Sequence, residues 1–396
     1  MRTEFLAYAA PFIGEEEIAE VVDSLRNGWL TSGPKVKAFE ESFGQVVGAK
    51  HCIAVNSCTA ALTLALAALD ARPGDEVIVP TLTFCATANV VEHRGARPVL
   101  VDTGEDLQLC PQAVRRAISP RTRAIMAVHY GGQACDLGAI LDLADAHGIP
   151  VVQDAAHAAG TEFEGRKIGG HGLVSAFSFF PSKNMTTGEG GMLATNDDAF
   201  AARLRRLSSF GISRSSRAAS QAYAGWRYEV QEAGYKTNMT DLQAAIGIHQ
   251  LRRLAWFIER RRDIAHAYTA AFADLDELIL PRDLPGRPHA YHLYTVRVVA
   301  DATCINRDSL IERLHEAKIG TSVHFIPLHR HPYYRDKYAL SGTDFPTAET
   351  IFEQIFSLPL YPAMSDGDVL DVIGAVRDIV LSSREEFRPS YCKTSE

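Results

Sequence analysis

The sequence predicts an α/β fold, with a large domain built on a mostly parallel sheet covered by helices on both faces and a smaller α+β domain after it. Three observations predict it. The chain has 396 residues, more than one ordinary core holds, so two domains are the expectation. Up to about residue 200, short β-branched strands alternate with helical stretches of roughly ten residues, the pattern of βαβ units. Beyond that the alternation stops, and residues 240–273 run at helical periodicity with no proline and a single glycine.

In chain order, HCIAVN (51–56) reads as the first strand, and TAALTLALAALD (59–70) as a helix beginning at Thr59. EVIVP (76–80) is a strand, followed by a helix in TFCATANVVEHRG (83–95) that Gly95 ends. RPVLVD (97–102), the helical PQAVRRAI (111–118), TRAIMAVH (122–129) and the helical LGAILDLADAHG (137–148) continue the alternation. PVVQDAA (150–156), SAFSFF (175–180) and GMLAT (191–195) close the set of strands. Past the long helix, YHLYTVRVV (291–299), a helix near 306–318 and GTSVHFI (320–326) form the smaller unit, and the polar residues 385–396 are expected to fray. Residues 1–250 are thus assigned to the large domain and 251–396 to the small one, with the long helix 240–273 as connector.

Composition narrows the function. Hydrophobic residues make up 46% and charged residues 22%, ordinary for a soluble globular protein. A net charge of −8 without a long lysine or arginine run argues against nucleic acid as a partner, since phosphate neutralisation dominates such binding. A phosphorylated small molecule needs only a local nest of donors and is not excluded. The seven cysteines (52, 58, 85, 110, 135, 304 and 392) are scattered without a CxxC pair, as reduced thiols of a cytoplasmic protein would be. The apolar run AALTLALAAL (60–69) is about half the ~20 residues that span a bilayer. The N-terminal MRTEFLAYAA carries an acid and lacks the apolar core of a signal peptide. A soluble, cytoplasmic protein with no membrane partner is expected.

Three stretches concentrate polar chemistry at strand ends. In NSCTAAL (56–62) a strand turns into a helix, whose free N–H groups and dipole suit an anion, although Ser and Thr serve equally as plain helix caps. In PVVQDAAHAAG, Asp154 stands at the carboxyl end of an apolar strand, where open α/β sheets bind ligands. A carboxylate there is costly to desolvate without a positive partner; a simple N-cap is the competing reading. His157 lies three residues on, on the same face if a helical turn follows. In FSFFPSKNMTTGEGGML (177–193), Ser178 lies in the strand and Lys183 on the loop beyond. Gly188, Gly190 and Gly191 allow tight turns, but no Gly-Lys-Ser or Gly-Lys-Thr follows, so this is not a P-loop. An anion nest, an acid at a strand end and a lysine at a later strand–loop junction match the phosphate, ring nitrogen and aldehyde of pyridoxal phosphate.

The chain resembles the nucleotide-sugar aminotransferases of the DegT–DnrJ–StrS family. The ordered blocks are GWLTSGPKVKAFE (28–40), NSCTAAL (56–62), PGDEVIVPTLTFCATAN (73–89), QDAAHAAGTEFEGRKIG (153–169), FSFFPSKNMTTGEGG (177–191), GYKTNMTDLQAAIG (234–247) and SLPLYPAMSD (357–366). The resemblance implies fold type I of the pyridoxal phosphate enzymes, with a mostly parallel seven-stranded sheet in the large domain. It makes Lys183 the Schiff-base lysine and proton carrier, and Asp154 the partner of the pyridine nitrogen. His157 would stand near the ring hydroxyl and Phe84 on the ring face, where a core phenylalanine is the alternative. Cys58, Thr59 and Ser178 would hold the phosphate, and Cys58 departs from the glycine or alanine common there. Asn238 would reach the phosphate of a neighbouring subunit, which implies a homodimer with shared sites.

The activity so implied is a ping-pong transamination from L-glutamate to a keto-sugar carried on a nucleoside diphosphate, with pyridoxamine phosphate as the aminated cofactor. His324, Phe325, His329 and Arg330 in VHFIPLHRH are candidates for the sugar-nucleotide site or, alternatively, surface loop. The TTGEGG loop with DAAHAAGT is closer to branches that aminate C4 of a 4-keto-6-deoxyhexose or 4-keto-pentose. The rivals are a 3-keto-sugar or keto-cyclitol aminotransferase and a non-catalytic, cofactor-binding regulator. Dehydratase relatives carry histidine in place of the lysine, so Lys183 argues against that chemistry.

Overall fold

The computed structural model describes residues 2–212, 228–299 and 305–387. The large sheet comprises β1 (His51–Val55), β2 (Glu76–Pro80), β3 (Arg97–Val101), β4 (Thr122–Val128) and β5 (Val151–Asp154). After a short hairpin, β6 (Glu162–Phe163) and β7 (Arg166–Lys167), it is completed by β8 (Val174–Ser178) and β9 (Gly191–Thr195). These seven strands lie in the order β1-β9-β8-β5-β4-β2-β3. Only β9 runs against the rest, antiparallel to both β1 and β8. Every other carboxyl end therefore reaches the same edge, where ligands of such sheets bind.

Alternation along the strands assigns side chains to two cores. Ile78, Ile125, Ala127, Phe177 and Met192 enter one, with Phe39 and Phe43 from the helix Pro34–Val47. Val77, Val79, Ala124, Met126, Ala176 and Leu193 enter the other. That second core takes in the helix Cys58–Ala68, buried on nearly all sides, which explains an apolar run too short for a membrane. Indeed no helix among the described residues is long and apolar enough to cross one. A third core lies around β10 (Leu278–Ile279), β11 (Tyr294–Val298) and β12 (Ile355–Leu358), an antiparallel sheet. There Tyr268, Phe272, Tyr294 and Phe356 are fully buried. Leu6 also belongs to this core and bridges Ile319, so the first residues of the chain pack with the last third.

The helix Asp241–Phe272 joins these units. Ala244, Leu251, Leu254 and Ile258 pack into the first core, and Ile264, Ala265, Tyr268 and Phe272 into the third. Its start is a capping box of Thr240 and Gln243. Asp241, fully buried, accepts the backbone N–H of Gly33 at 2.7 Å, Val36 at 3.0 Å and Lys35 at 3.2 Å, capping the neighbouring helix Pro34–Val47. Asp241→Ala is expected to cost about 2–4 kcal/mol, because several buried donors lose a charged acceptor at once. The urea midpoint measures it, and a shift within error would show that water replaces the carboxylate.

Some elements differ from the sequence expectation. The helix after β1 begins at Cys58, not Thr59, because Ser57 is its N-cap and its Oγ accepts the Ala60 N–H at 3.1 Å. GTSVHFI is not a strand. It is pinned by bridges of Ile319 to Leu6 and Ser322 to Ser357, and runs between as irregular backbone. The last helix continues through Phe387 where fraying was expected, and residues 388–396 lie outside the described residues, as do Cys304 and Cys392.

Candidate active site

β5 ends in Asp154, whose side chain is 6% exposed at the carboxyl edge. Its Oδ2 accepts the Thr87 hydroxyl at 2.8 Å and its Oδ1 the Ala156 N–H at 3.1 Å. Thr87 is itself 2.9 Å from Thr83 Oγ1. Burial pushes the Asp154 carboxyl above its ordinary value, against the pull of Thr87, the Ala156 N–H and Lys183. A carboxylate so placed calls for a cationic partner at its open side. Thr87 was not singled out from the sequence, although Thr83 and Thr87 stand one helical turn apart within TLTFCATAN.

Lys183 follows β8 on a turn in which its N–H donates to the Phe180 carbonyl at 2.9 Å. Its amine is within electrostatic reach of Asp154 and Cys58, and burial lowers it to about 8. The glycines after it serve the backbone. Gly188 has φ +78°, and a Cβ on Gly191 would lie 2.4 Å from the Ser57 carbonyl carbon and 2.6 Å from the Cys58 nitrogen. Gly191 pairs with Val55 on one side and Ser178 on the other. Only glycine there lets the 57–58 turn press against the sheet, bringing the Cys58 and Thr59 helix terminus beside Ser178. The Cys58 thiol lies 3.4 Å from the Ala176 carbonyl and 4.0 Å from Asp154 Oδ1. Burial raises it well above the ordinary thiol value, so it stays protonated. Ser178 Oγ accepts the Phe180 N–H at 3.5 Å, a long bond.

Aromatic rings and imidazoles wall the edge. Phe84 is 58% exposed, which removes the reading of a core phenylalanine, and its ring is 5.9 Å from Phe325. Phe325 in turn stacks on His157 at 5.9 Å and 25°. His157 Nδ1 accepts the Gly131 N–H at 3.2 Å, so its proton resides on Nε2. Burial, with Lys183 nearby, keeps this imidazole neutral. His292 lies 4.3 Å from His157, and its buried Nδ1 has no partner. Gly131 and His292 were also missed. The former follows a strand end in VHYGG, a signal the sequence did carry, whereas His292 sits within a strand-like run that gives none.

The VHFIPLHRH stretch divides. His324 and Phe325 reach the site, but His329 does not. Its Nδ1 meets Thr81 Oγ1 at 2.7 Å, its Nε2 meets Glu349 at 2.5 Å, and its ring stacks on Phe345. With both nitrogens engaged and the ring 2% exposed, His329 pins the 328–330 turn to the large sheet. Arg330 is held by Glu349 and Glu353. Asn238 bridges β1 through Val55, and its amide donates to Ser32 Oγ at 2.8 Å. Within one chain it is thus anchored near the mouth of the 56–59 turn.

These groups suit pyridoxal phosphate. A buried acid lacking a cation, an amine lowered toward neutrality, an exposed aromatic face and a helix N-terminus correspond to its ring nitrogen, carbonyl, ring face and phosphate. The lysine carries a pH signature. Only the neutral amine attacks a carbonyl, so capture of cofactor by the apoenzyme should rise with pH and level off above about 8. Colour development against pH measures this. A rate still climbing toward the ordinary lysine value of 10.5 would show that the amine is not desolvated.

A model of the DegT/DnrJ/EryC1/StrS aminotransferase family matches residues 11–377. The chain is 50% identical over 381 residues to the spore coat polysaccharide biosynthesis protein SpsC of Bacillus subtilis, covering 96% of this chain and 98% of that one. It is similar in structure to the aminotransferase TlmJ from Streptoalloteichus hindustanus, with 36% identity, a TM-score of 0.87, and coverage of 96% and 100%. It is also similar to Spr1654 from Streptococcus pneumoniae, assigned as a sugar aminotransferase and solved in PLP and PMP forms. There the identity is 31% and the TM-scores are 0.88 and 0.89, with 96% of this chain and 99% and 100% of those chains covered.

Proposed function

Because the chain belongs to the DegT/DnrJ/EryC1/StrS aminotransferase family, we propose that it transfers the amino group of L-glutamate to a nucleotide-linked 4-keto-sugar, a 4-keto-6-deoxyhexose or a 4-keto-pentose. The chain is a sugar aminotransferase of fold type I, and its cofactor is pyridoxal phosphate. The observation that carries the reading is that Asp154 and Lys183 are buried at one edge of the sheet, within electrostatic reach of each other.

When bound, pyridoxal phosphate supplies an electrophilic carbonyl and an electron-withdrawing ring. In this reading Asp154 holds the proton on the ring nitrogen, and Thr87 with the Ala156 N–H keeps its carboxylate aimed. His157, its Nδ1 occupied, offers Nε2–H to the ring oxygen. Phe84 covers the ring face, and the Cys58 and Thr59 N–H groups with Ser178 receive the phosphate. Lys183 Nζ takes the proton from Cα of the donor and returns it on the other side of the reaction. What supports C4 over C3 is the TTGEGG loop together with DAAHAAGT.

We include a cytoplasmic homodimer in the proposal. Leu30 and Phe210 are exposed, and a second copy packed against them would bring its own phosphate site within reach of Asn238. A fully active monomer in sedimentation would remove that part. The substrate is tested by a panel of dTDP-, UDP- and GDP-linked keto-sugars with glutamate, reading which product gains nitrogen and at which carbon. Nitrogen at C3, or in no member of the panel, would overturn the assignment.

A further inference from the structure

We propose that the cavity between the loop after β3 and the strands β10 and β11 is a second ligand site, one that takes an organic anion with an apolar body and acts on His157 through Gly131. Its volume is about 590 Å³, within the roughly 300–1,000 Å³ of small-molecule sites. Lys183, Asp154, His157 and Phe325 do not line it, but Gly131 does. That residue is the partition between the two sites. On one side its N–H donates to His157 Nδ1 at 3.2 Å. On the other, the place a Cβ would take lies 3.8 Å from His289 Cε1 and 3.9 Å from its Nε2.

The class of ligand follows from the unspent donors. His289 lines the cavity and is 7% exposed. Burial, with Arg262 nearby, keeps its ring neutral. Its Nδ1 accepts the Tyr291 N–H at 2.8 Å, so the hydrogen resides on Nε2. That N–H meets no acceptor among the described residues, and a buried donor left so costs free energy until something accepts from it. Arg287 Nη1 is buried and likewise without a hydrogen bond. The carboxylates of the wall are already matched, Glu105 by Arg297 at 2.8 Å and Asp106 by Arg287 at 3.5 Å. Arg282, also in the wall, has no carboxylate against it among the described residues. The surplus is of donors and positive charge. Leu107, Ile279, Leu280 and Pro281 supply the apolar part of the wall.

The site is built before any ligand arrives. The His289 ring stacks on Tyr291 at 4.2 Å and 12°, and its backbone N–H donates to Asp283 Oδ1 at 2.7 Å. Gln133 Nε2 donates to the carbonyls of Arg282 at 3.0 Å and Arg287 at 3.3 Å. Gln133 directly follows the Tyr130–Gly132 turn that carries Gly131, so the donor loop and the partition are tied together. A ligand on His289 Nε2 therefore bears on the residue that orients His157, and differential contact of this kind is what couples two sites. The coupling, unlike the binding, rests on the reading of Lys183 as the reacting amine.

The test titrates phenyl phosphate and benzoate, two anions on one aromatic body, into the holoenzyme by calorimetry, with benzyl alcohol as the neutral control. The parent is expected to bind at least one of the anions at a single site and the alcohol at least about tenfold more weakly; which anion binds tells a phosphate ester from a carboxylate. Arg282→Glu and His289→Asn should each weaken binding about tenfold or more. Asparagine keeps an acceptor for the Tyr291 N–H and removes only the donor to the cavity, and an unchanged melting temperature shows that each variant is folded. No binding of either anion to the parent, or parental affinity in Arg282→Glu, would overturn the site. Saturating anion should also change the rate of bleaching by L-glutamate at least about twofold in the parent and leave Arg282→Glu unaffected. Binding with an unchanged rate would overturn the link through Gly131. Binding to a protein that glutamate never bleaches would count against the functional reading alone.

Discussion

Lys183→Ala is expected to abolish transamination. The rate with L-glutamate falls by at least about 10⁴-fold, and borohydride no longer fixes pyridoxal phosphate to the chain. The size follows from the lack of a substitute. Asp154 is committed to Thr87 and the Ala156 N–H. His157 stands close by, but its one lone pair accepts the Gly131 N–H, so it has no site for an incoming proton. His324 and His292, whatever nitrogen they leave free, are held below ordinary histidine chiefly by burial. Lys183 thus combines a nucleophilic amine with a basicity matched to neutral pH, which burial sets at about 8. Visible absorption with and without glutamate and the borohydride test together measure the outcome. More than about one per cent of parental turnover would move the proton-transfer role to another group.

The large sheet was legible because its strands are short β-branched runs between helices, and their two-sided burial leaves little freedom. The carboxyl-edge positions of Asp154 and Ser178 followed from that register. Helix starts were less legible, since Ser57, Cys58 and Thr59 all suit a cap and only Ser57 Oγ finds the Ala60 N–H. β12 was invisible for a different reason. IFSL is a four-residue run, three of them apolar, directly after a helix, and periodicity does not separate such a run from one more helical turn.

The site divides along the same line. Lys183, Asp154, Cys58 and Ser178 lie at strand ends, so the alternation of elements brings them together. Thr87, Gly131 and His292 meet Asp154 or His157 through long-range contacts that no local pattern encodes. His329 shows the converse. In the sequence it is as polar as His324, yet Thr81 after β2, and Phe345 and Glu349 at the start of the helix Pro346–Gln354, close around it. The glycines of TTGEGG make a related point. For Gly191 the need is set by the Ser57–Cys58 backbone more than a hundred residues earlier, which would meet any Cβ there.

Asp154→Asn is expected to act with opposite signs on the apo and loaded protein. Without cofactor the carboxylate is a buried charge whose acid is raised above its unfolded value. The folded state then binds its proton more tightly than the unfolded chain does, so stability is gained at low pH and lost as pH rises through the native value. Asparagine carries no charge and removes that cost, and the apoenzyme should melt at the same temperature or higher at neutral pH. With pyridoxal phosphate the sign reverses. With Asp154 as the proposed partner of the ring nitrogen, the substitution breaks a buried pair, and at about 3–5 kcal/mol this should weaken cofactor binding by roughly 10²–10⁴-fold. The rise in melting temperature on adding cofactor, which follows the ratio of ligand to dissociation constant, shrinks accordingly. An apoenzyme strongly destabilised by the change would mean that Asp154 is chiefly the cap of the 154–156 turn, the plain reading of an acid at a strand end. A full cofactor-induced shift would mean that the ring nitrogen is held elsewhere.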